Sequence, residues 1–499
     1  MKMKKIIFCL VLTAALSVSS IALAAAPQEE ISSQDMMIKN GEWTALAQIY
    51  PISGVSNDIS EALTPEVLAE WWNVFDDPTM TDLILRALNN NREIEAANAR
   101  VKEARAALGV SRAALFPWID TSDYWSNSRT PIDAGGGGIS SKLFRLGIDA
   151  SWEIDIFGGL RAKVRAQRST LGARYAALYG TWTTLAAEVA INYINLRTLQ
   201  DRIRFARHNA ELQQNTVDIQ QSKVDSGLDD VLALKQAQYT LQQTLALIPD
   251  YEASLESTMN ILSILVGEVP GSLYELLSEE KSIPKISETA LIGIPANAIR
   301  QRPDIREAER LLAAQIARKQ SAEADLWPKF YLTGSIGTES GDWGSLFEGP
   351  AKLYSFMPRI TWPIFHFGAI RSNIKVQGAI AEQLLAAYEQ TVLNAVGEVR
   401  SALTSNVKEY ERNASLKMGV EAAQVALDVA NDKYSNGLVS FTNVIDAQAA
   451  LTKLSEEYVV STGLLSTKAI ALFKALGGGW QPMDEAQRAL AEAARKPKN

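Results

Sequence analysis

Few residues in this chain could do covalent chemistry. Its 499 residues hold two histidines, His208 and His366, and one cysteine, Cys9. His208 falls in a long helix-forming stretch, while His366 sits between Phe365 and Phe367 in the other half of the chain. A shared dyad or metal pair is therefore not expected. Cys9 belongs to an N-terminal address segment, which leaves the remainder without thiolate ligands, cysteine nucleophiles or disulfides. The glycine run Gly135 to Gly138 lacks the Lys-Ser/Thr of a phosphate loop and reads as a strand connection. No catalytic residue, cofactor or metal site is expected.

The address is legible in three parts. Met1 to Lys5 is basic, Ile6 to about Leu16 is apolar, and Ala22-Leu23-Ala24 is a small-x-small cleavage site. That is a removable secretory signal over residues 1–24. Phe8 before Cys9, and the apolar run continuing past it, argue against lipidation there. Removing the three signal lysines takes the formal charge from −8 to −11, which argues against nucleic acid as a partner. Beyond the signal no apolar run approaches the roughly 18–20 residues of a membrane helix. Entry into a membrane would require strands in a closed barrel.

The elements come in duplicate, at a shift of about 210 residues. Trp152-x-Ile154-x-x-Phe157-Gly158 matches Trp362-x-Ile364-x-x-Phe367-Gly368, and Glu188-Val189 matches Glu398-Val399. Gly227-Leu228 matches Gly437-Leu438, and Ala237-Gln238 matches Ala447-Gln448. The period is too long for a solenoid and indicates a duplicated half. Each half opens with a helix, expected over about 82–115 and 304–326, stopped by Pro117 or Pro328.

A pair of strands follows each proline, expected at about 119–130 and 143–156, then about 330–340 and 353–366. Phe144 to Ile156 is the clearest, with Phe144, Leu146, Ile148, Ala150, Trp152 and Ile154 alternating with Arg145, Asp149, Ser151 and Glu153. Pro358 and Pro363 interrupt the last strand, which is awkward for a central position. The lengths and the aromatic ends (Trp118, Tyr124, Trp125, Trp327, Phe330, Trp362) suit membrane strands. Four strands cannot close a barrel, since the smallest has about 8. Two, three or four chains would have to share one.

Between the strand pairs no proline occurs from Pro131 to Pro249, nor from Pro363 to Pro482. A helix from Gly159 to Ser226 would span about 100 Å at 1.5 Å per residue. Each long helix ends in a glycine turn, Gly227-Leu228 or Gly437-Leu438, after which Asp229 or Asp230, and Ser440, can cap a returning helix. The hairpin tips therefore lie far from the strands.

Together these residues resemble the outer-membrane efflux factor family of the TolC/OprM type, more narrowly the outer-membrane subunits of resistance-nodulation-division pumps. The motifs that carry the likeness are Trp71-Trp72 with Phe75-x-Asp77-Pro78, Trp152 to Gly158, Arg302-Pro303-Asp304-Ile305-Arg306, Tyr434-x-x-Gly437, Asp446-Ala447-Gln448 and Ala475 to Trp480. The resemblance implies an α+β membrane protein of the cell outer membrane extending into the periplasm. It implies a homotrimer whose chains each give four strands to a shared 12-stranded barrel and long coiled-coil helices to a tunnel. It implies a periplasmic adaptor and an inner-membrane pump as partners, with outer-membrane lipid around the barrel. The implied organisation is an N-terminal extended segment at 25–78, repeats at 79–267 and 301–480, an equatorial linker at 268–300 and a tail at 481–499. Asp446 matches the family's constriction aspartate, and three such carboxylates around one axis would attract cations. Asn443 stands where some relatives have a second acid and Val439 where some have a base. Thr442 and Phe441 are then candidates for a steric constriction. Gly227, Leu228, Gly437 and Leu438 match the adaptor-contacting tips. A type I protein-secretion duct is the alternative on the same fold. A periplasmic coiled-coil or adaptor protein would explain the helices without the strands.

Overall fold

The computed structural model describes residues 68–133, 137–286 and 298–480. The signal, the rest of the N-terminal segment to residue 67, residues 134–136 of the glycine-rich connection, linker residues 287–297 and the tail at 481–499 lie outside the described residues.

Helices α1 (Pro78–Asn90) and α2 (Arg92–Ala113) open the first half. The sequence predicts one helix here. It is broken because Asn91 takes an extended conformation (φ −65°, ψ 135°) and its side chain accepts from Glu93 N and Ile94 N, starting a new helix. Strands β1 (Trp118–Thr121), β2 (Tyr124–Arg129) and β3 (Ser140–Ile154) follow, then the 67-residue helix α3 (Gly159–Asp225) and its return α4 (Val231–Val266). The second half repeats the order with α5 (Pro303–Ala324), β4 (Lys329–Ser340), β5 (Lys352–Thr361), the 67-residue α6 (Ala369–Ser435) and α7 (Phe441–Ala475). Equivalent bonds hold the two junctions. Trp152 Nε1 donates to Leu115 O at 3.0 Å, and Trp362 Nε1 to Leu326 O at 3.1 Å.

The strands form one antiparallel sheet in the order β1–β3–β4–β5, with β2 also on β3. Trp118 opposes Ser151 and Tyr124 opposes Arg145, one continuous register, so β1 and β2 are a single lane of four. That lane is interrupted, where the sequence predicts it whole, because the Asp123 carboxylate takes the Gly147 N–H at 3.2 Å in place of a backbone carbonyl. β5 ends at Thr361 and not near 366, ahead of Pro363. Within a single chain it is the last strand of the sheet.

Opposed residues share a face. One face carries Ile148, Ile336 and Tyr354 in one row, Ala150, Gly334 and Phe356 in the next, and Ile154, Phe330 and Ile360 in a third. Ile336 is 66% exposed and Phe356 73%, so the chain leaves this apolar face uncovered. The other face is polar. Arg145 pairs there with Asp149 at 3.2 Å and Glu339 at 3.8 Å, and the Ser335 and Ser355 hydroxyls are 2.7 Å apart. An apolar outside and a polar inside define a membrane-barrel wall. Among the described residues no helix is long and apolar enough to cross a membrane.

Candidate gate at the hairpin tips

Both hairpins turn on a glycine with positive φ, Gly227 at 65° and Gly437 at 70°. Leu228 N donates to Lys223 O and Leu438 N to Lys433 O, the 6→1 bond of a left-handed C-cap. These turns leave Leu228 79% and Leu438 72% exposed, an apolar knob on each tip. The Asp230 side chain caps α4 through Leu232 N, whereas Ser440, at the same position before α7, makes no side-chain cap bond.

The first turns of α7 are two-sided. Thr442, Asn443 and Asp446 are exposed along one face. Phe441, Val444 and Ile445 are buried on the other, in a cluster with Val217, Leu234, Ala237 and Leu241 of the first hairpin. Phe441 is thus 5% exposed and fills the core between the hairpins. Service as a constriction would require it to leave that core. The described residues hold no group of three or more His, Cys, Asp or Glu able to hold a metal.

A polar latch beside this core has no counterpart in the sequence reading. The Tyr434 hydroxyl of α6 donates to the Asp229 carboxylate in the turn of the first hairpin. Gln220 of α3 bonds the same hydroxyl at 2.9 Å, and the Lys223 ammonium lies 4.0 Å from the Tyr434 ring centre. The ring also packs on Phe441 at 5.3 Å. A second tie lies higher up. Arg202 of α3 and Tyr251 of α4 both bond Glu456 of α7. Burial raises the Glu456 pKa, but the bonds from Tyr251 and Arg202 outweigh it and leave the carboxyl below its ordinary value.

The bond from Tyr434, opposed by slight burial and aided by the Asp230 N–H and Lys223, holds the Asp229 carboxyl below its usual 3.8. A lowered folded-state value stabilises above the unfolded pKa and is lost as pH falls through the folded one. The separation between spin labels on the two tips of one chain is therefore expected to stay constant from neutral pH down to about pH 4, and to widen below it. Widening already near pH 6 would show that another group controls the latch.

A sheet apolar outside and polar inside, open at both edges and continuous with two long helical hairpins, defines a subunit of an oligomeric membrane channel. The chain matches the outer membrane efflux protein family over residues 83–268 and 294–478, and it belongs to that family. It is 31% identical over 421 residues to the toluene efflux pump outer membrane protein TtgF of Pseudomonas putida, covering 84% of this chain and 87% of that one. Identity with the cation efflux system protein CusC of Escherichia coli is 29% over 416 residues, covering 82% and 89%. The solved outer-membrane channel OprN superposes with a TM-score of 0.80 at 31% identity, covering 83% of this chain and 93% of that chain. The protein is an outer-membrane efflux channel whose homotrimer closes a single barrel of twelve strands above a helical tunnel in the periplasm.

Proposed function

We propose that this trimer is the passive exit duct of a tripartite efflux system, catalysing nothing itself and gated at its periplasmic tips. One observation carries the reading: the polar face of the sheet continues into hairpins whose helices run 67 residues to their bends, about 100 Å away. A periplasmic adaptor engages the exposed Leu228 and Leu438 beside Gly227 and Gly437. An inner-membrane pump of the resistance-nodulation-division type supplies the energy. The cargo is small toxic molecules or ions, the class named for the toluene and cation efflux relatives; no feature of the chain favours the protein-secretion alternative. Asp446, with Asn443 and Thr442 on the same exposed face, forms a threefold ring at the constriction, and Phe441 supports that ring from the hairpin core.

Planar-bilayer conductance tests the reading. The wild-type trimer is expected to form a cation-selective pore. Asp446→Ala is expected to lower the cation-to-anion permeability ratio by about threefold or more. Absence of any pore would sink the duct, and unchanged selectivity in the variant would sink the Asp446 ring.

A further inference from the structure

The basic residues of the sheet are distributed unevenly. Arg145 pairs with Asp149 and Glu339, Lys329 with Asp325 at 2.8 Å, and Arg359 lies over the Tyr331 ring at 5.2 Å. The other three, Arg129, Lys142 and Lys352, are exposed and form no ion pair among the described residues. Register fixes the face each occupies. Arg129 opposes Ser140, Lys142 opposes Asn127, and Lys352 opposes Thr338. Alternation from Phe144, Leu146 and Ile148 then assigns all three to the apolar, lipid-facing side. No carboxylate within the strands shares that face, and Asp123, between β1 and β2, is turned to Gly147 N.

Their height is also defined. β3 enters α3 at its other end, so these three residues stand at the rim remote from the periplasmic helices. Just inward is an aromatic girdle, with Trp125 6.3 Å from Phe144 and Phe144 5.6 Å from Trp343. Such girdles sit at the headgroup boundary. Lys142 and Arg129, the latter opposite Ser140, lie two and four residues beyond it, at the level of the outer-leaflet headgroups, while Lys352, in register with Leu146, lies two residues inside Phe144 at the start of β5.

We propose that Arg129, Lys142 and Lys352 bind the phosphate groups of a phosphorylated outer-leaflet glycolipid. The proposal rests on the assignment of the apolar face to lipid. In the closed barrel the β5 edge of one chain meets the β1–β2 lane of the next, which brings Lys352 to the same subunit seam as Arg129 of the adjacent chain, with Lys142 one strand further in. Each subunit seam then presents three cations over an apolar wall, complementary to a phosphorylated headgroup above acyl chains.

Native mass spectrometry of the detergent-solubilised trimer tests this with diphosphorylated lipid A, the same lipid stripped of phosphate, and inorganic phosphate as competitor. The wild type is expected to prefer the phosphorylated lipid by about fivefold or more. The triple variant Arg129→Gln/Lys142→Gln/Lys352→Gln is expected to lose that preference. Equal binding of both lipids by the wild type, or an unchanged preference in the variant, overturns the proposal. Displacement by equimolar inorganic phosphate overturns the lipid as the source. Should the triple variant not assemble, Lys352→Gln alone is expected to lower the preference about twofold, and no change overturns the proposal. Conductance in a neutral-lipid bilayer is expected to be unaltered in the variant, which separates failure of this site from failure of the duct.

Discussion

The double variant Asp229→Ala/Tyr434→Phe is expected to carry about tenfold or more current than the wild-type trimer at the same voltage. The Tyr434–Asp229 bond joins the second hairpin to the turn of the first. A hydrogen bond to a charged group contributes roughly 1.5–3 kcal/mol net. Asp229 is near solvent, and screening reduces this to about 1 kcal/mol per chain. Three chains opening together would lose about 3 kcal/mol of closed-state preference, on the order of a hundredfold in the open-to-closed ratio. Tenfold is the conservative expectation, because Phe441, Val444 and Ile445 still pack on Leu234 and Leu241. Tyr434→Phe keeps the ring against Phe441 and Lys223 and removes only the hydroxyl, so the hairpin core stays filled. Intact double-variant trimers with wild-type current would show that the latch does not hold the closed state.

Sequence and structure agree where the determining forces are local. Strand pairs and glycine bends follow from alternation and from positive φ at Gly158, Gly227, Gly368 and Gly437, and the two 67-residue helices occupy proline-free stretches, although α4 runs on through Pro249. The differences arise where a residue answers to a distant partner. The break in the first lane depends on Asp123 reaching Gly147 across the sheet. The break between α1 and α2 is fixed by Asn91, whose Nδ2 also bonds Leu265 O at 2.9 Å. The latch joins residues 205 positions apart in different halves. One signal for it was present: Ala210, Gln213, Val217, Gln220 and Val224 follow a coiled-coil seam. Gln213 and Gln220 are 3% and 1% exposed. Polar residues at seam positions specify register and partner, and Gln220 bonds Tyr434.

The duplication also explains how chains close a ring. α5 packs on both α3 and α6, whereas its counterpart α2 has α3 as its main partner. The place beside α2 equivalent to the α5–α3 contact is left for α6 of an adjacent chain, just as the β1–β2 lane awaits β5. The halves are not interchangeable, however. Arg302 bonds Asp304, Glu398 and Ala475 O. Asn91, at the equivalent position, carries no charge and donates to the equivalent carbonyl, Leu265 O, and among the described residues Glu93 and Glu188 form no ion pair. Six similar halves thus surround the axis with threefold electrostatics.

Gly337→Ala is expected to abolish the barrel while leaving the helices formed. Gly337 opposes Gly147 on the polar face, where two glycines let β3 and β4 approach closely. A Cβ at Gly337 would lie 2.4 Å from Leu146 O and 2.7 Å from Gly147 Cα. Both are backbone atoms, so no side chain can rotate away, and relief requires separating the strands. Gly337 lies mid-lane between β3 and β5, so separation breaks pairing on both sides. In lipid each freed backbone group costs several kcal/mol, repeated in three chains. Gly344→Ala serves as the control: its added Cβ would meet only the Asp342 carboxylate, the end of a side chain in an exposed loop. Heat-resistant trimer on a gel is expected to fall about tenfold or more for Gly337→Ala and to remain for Gly344→Ala. Wild-type trimer yield and pore conductance from Gly337→Ala would show that the wall does not depend on this close approach, and that its strands have room to shift.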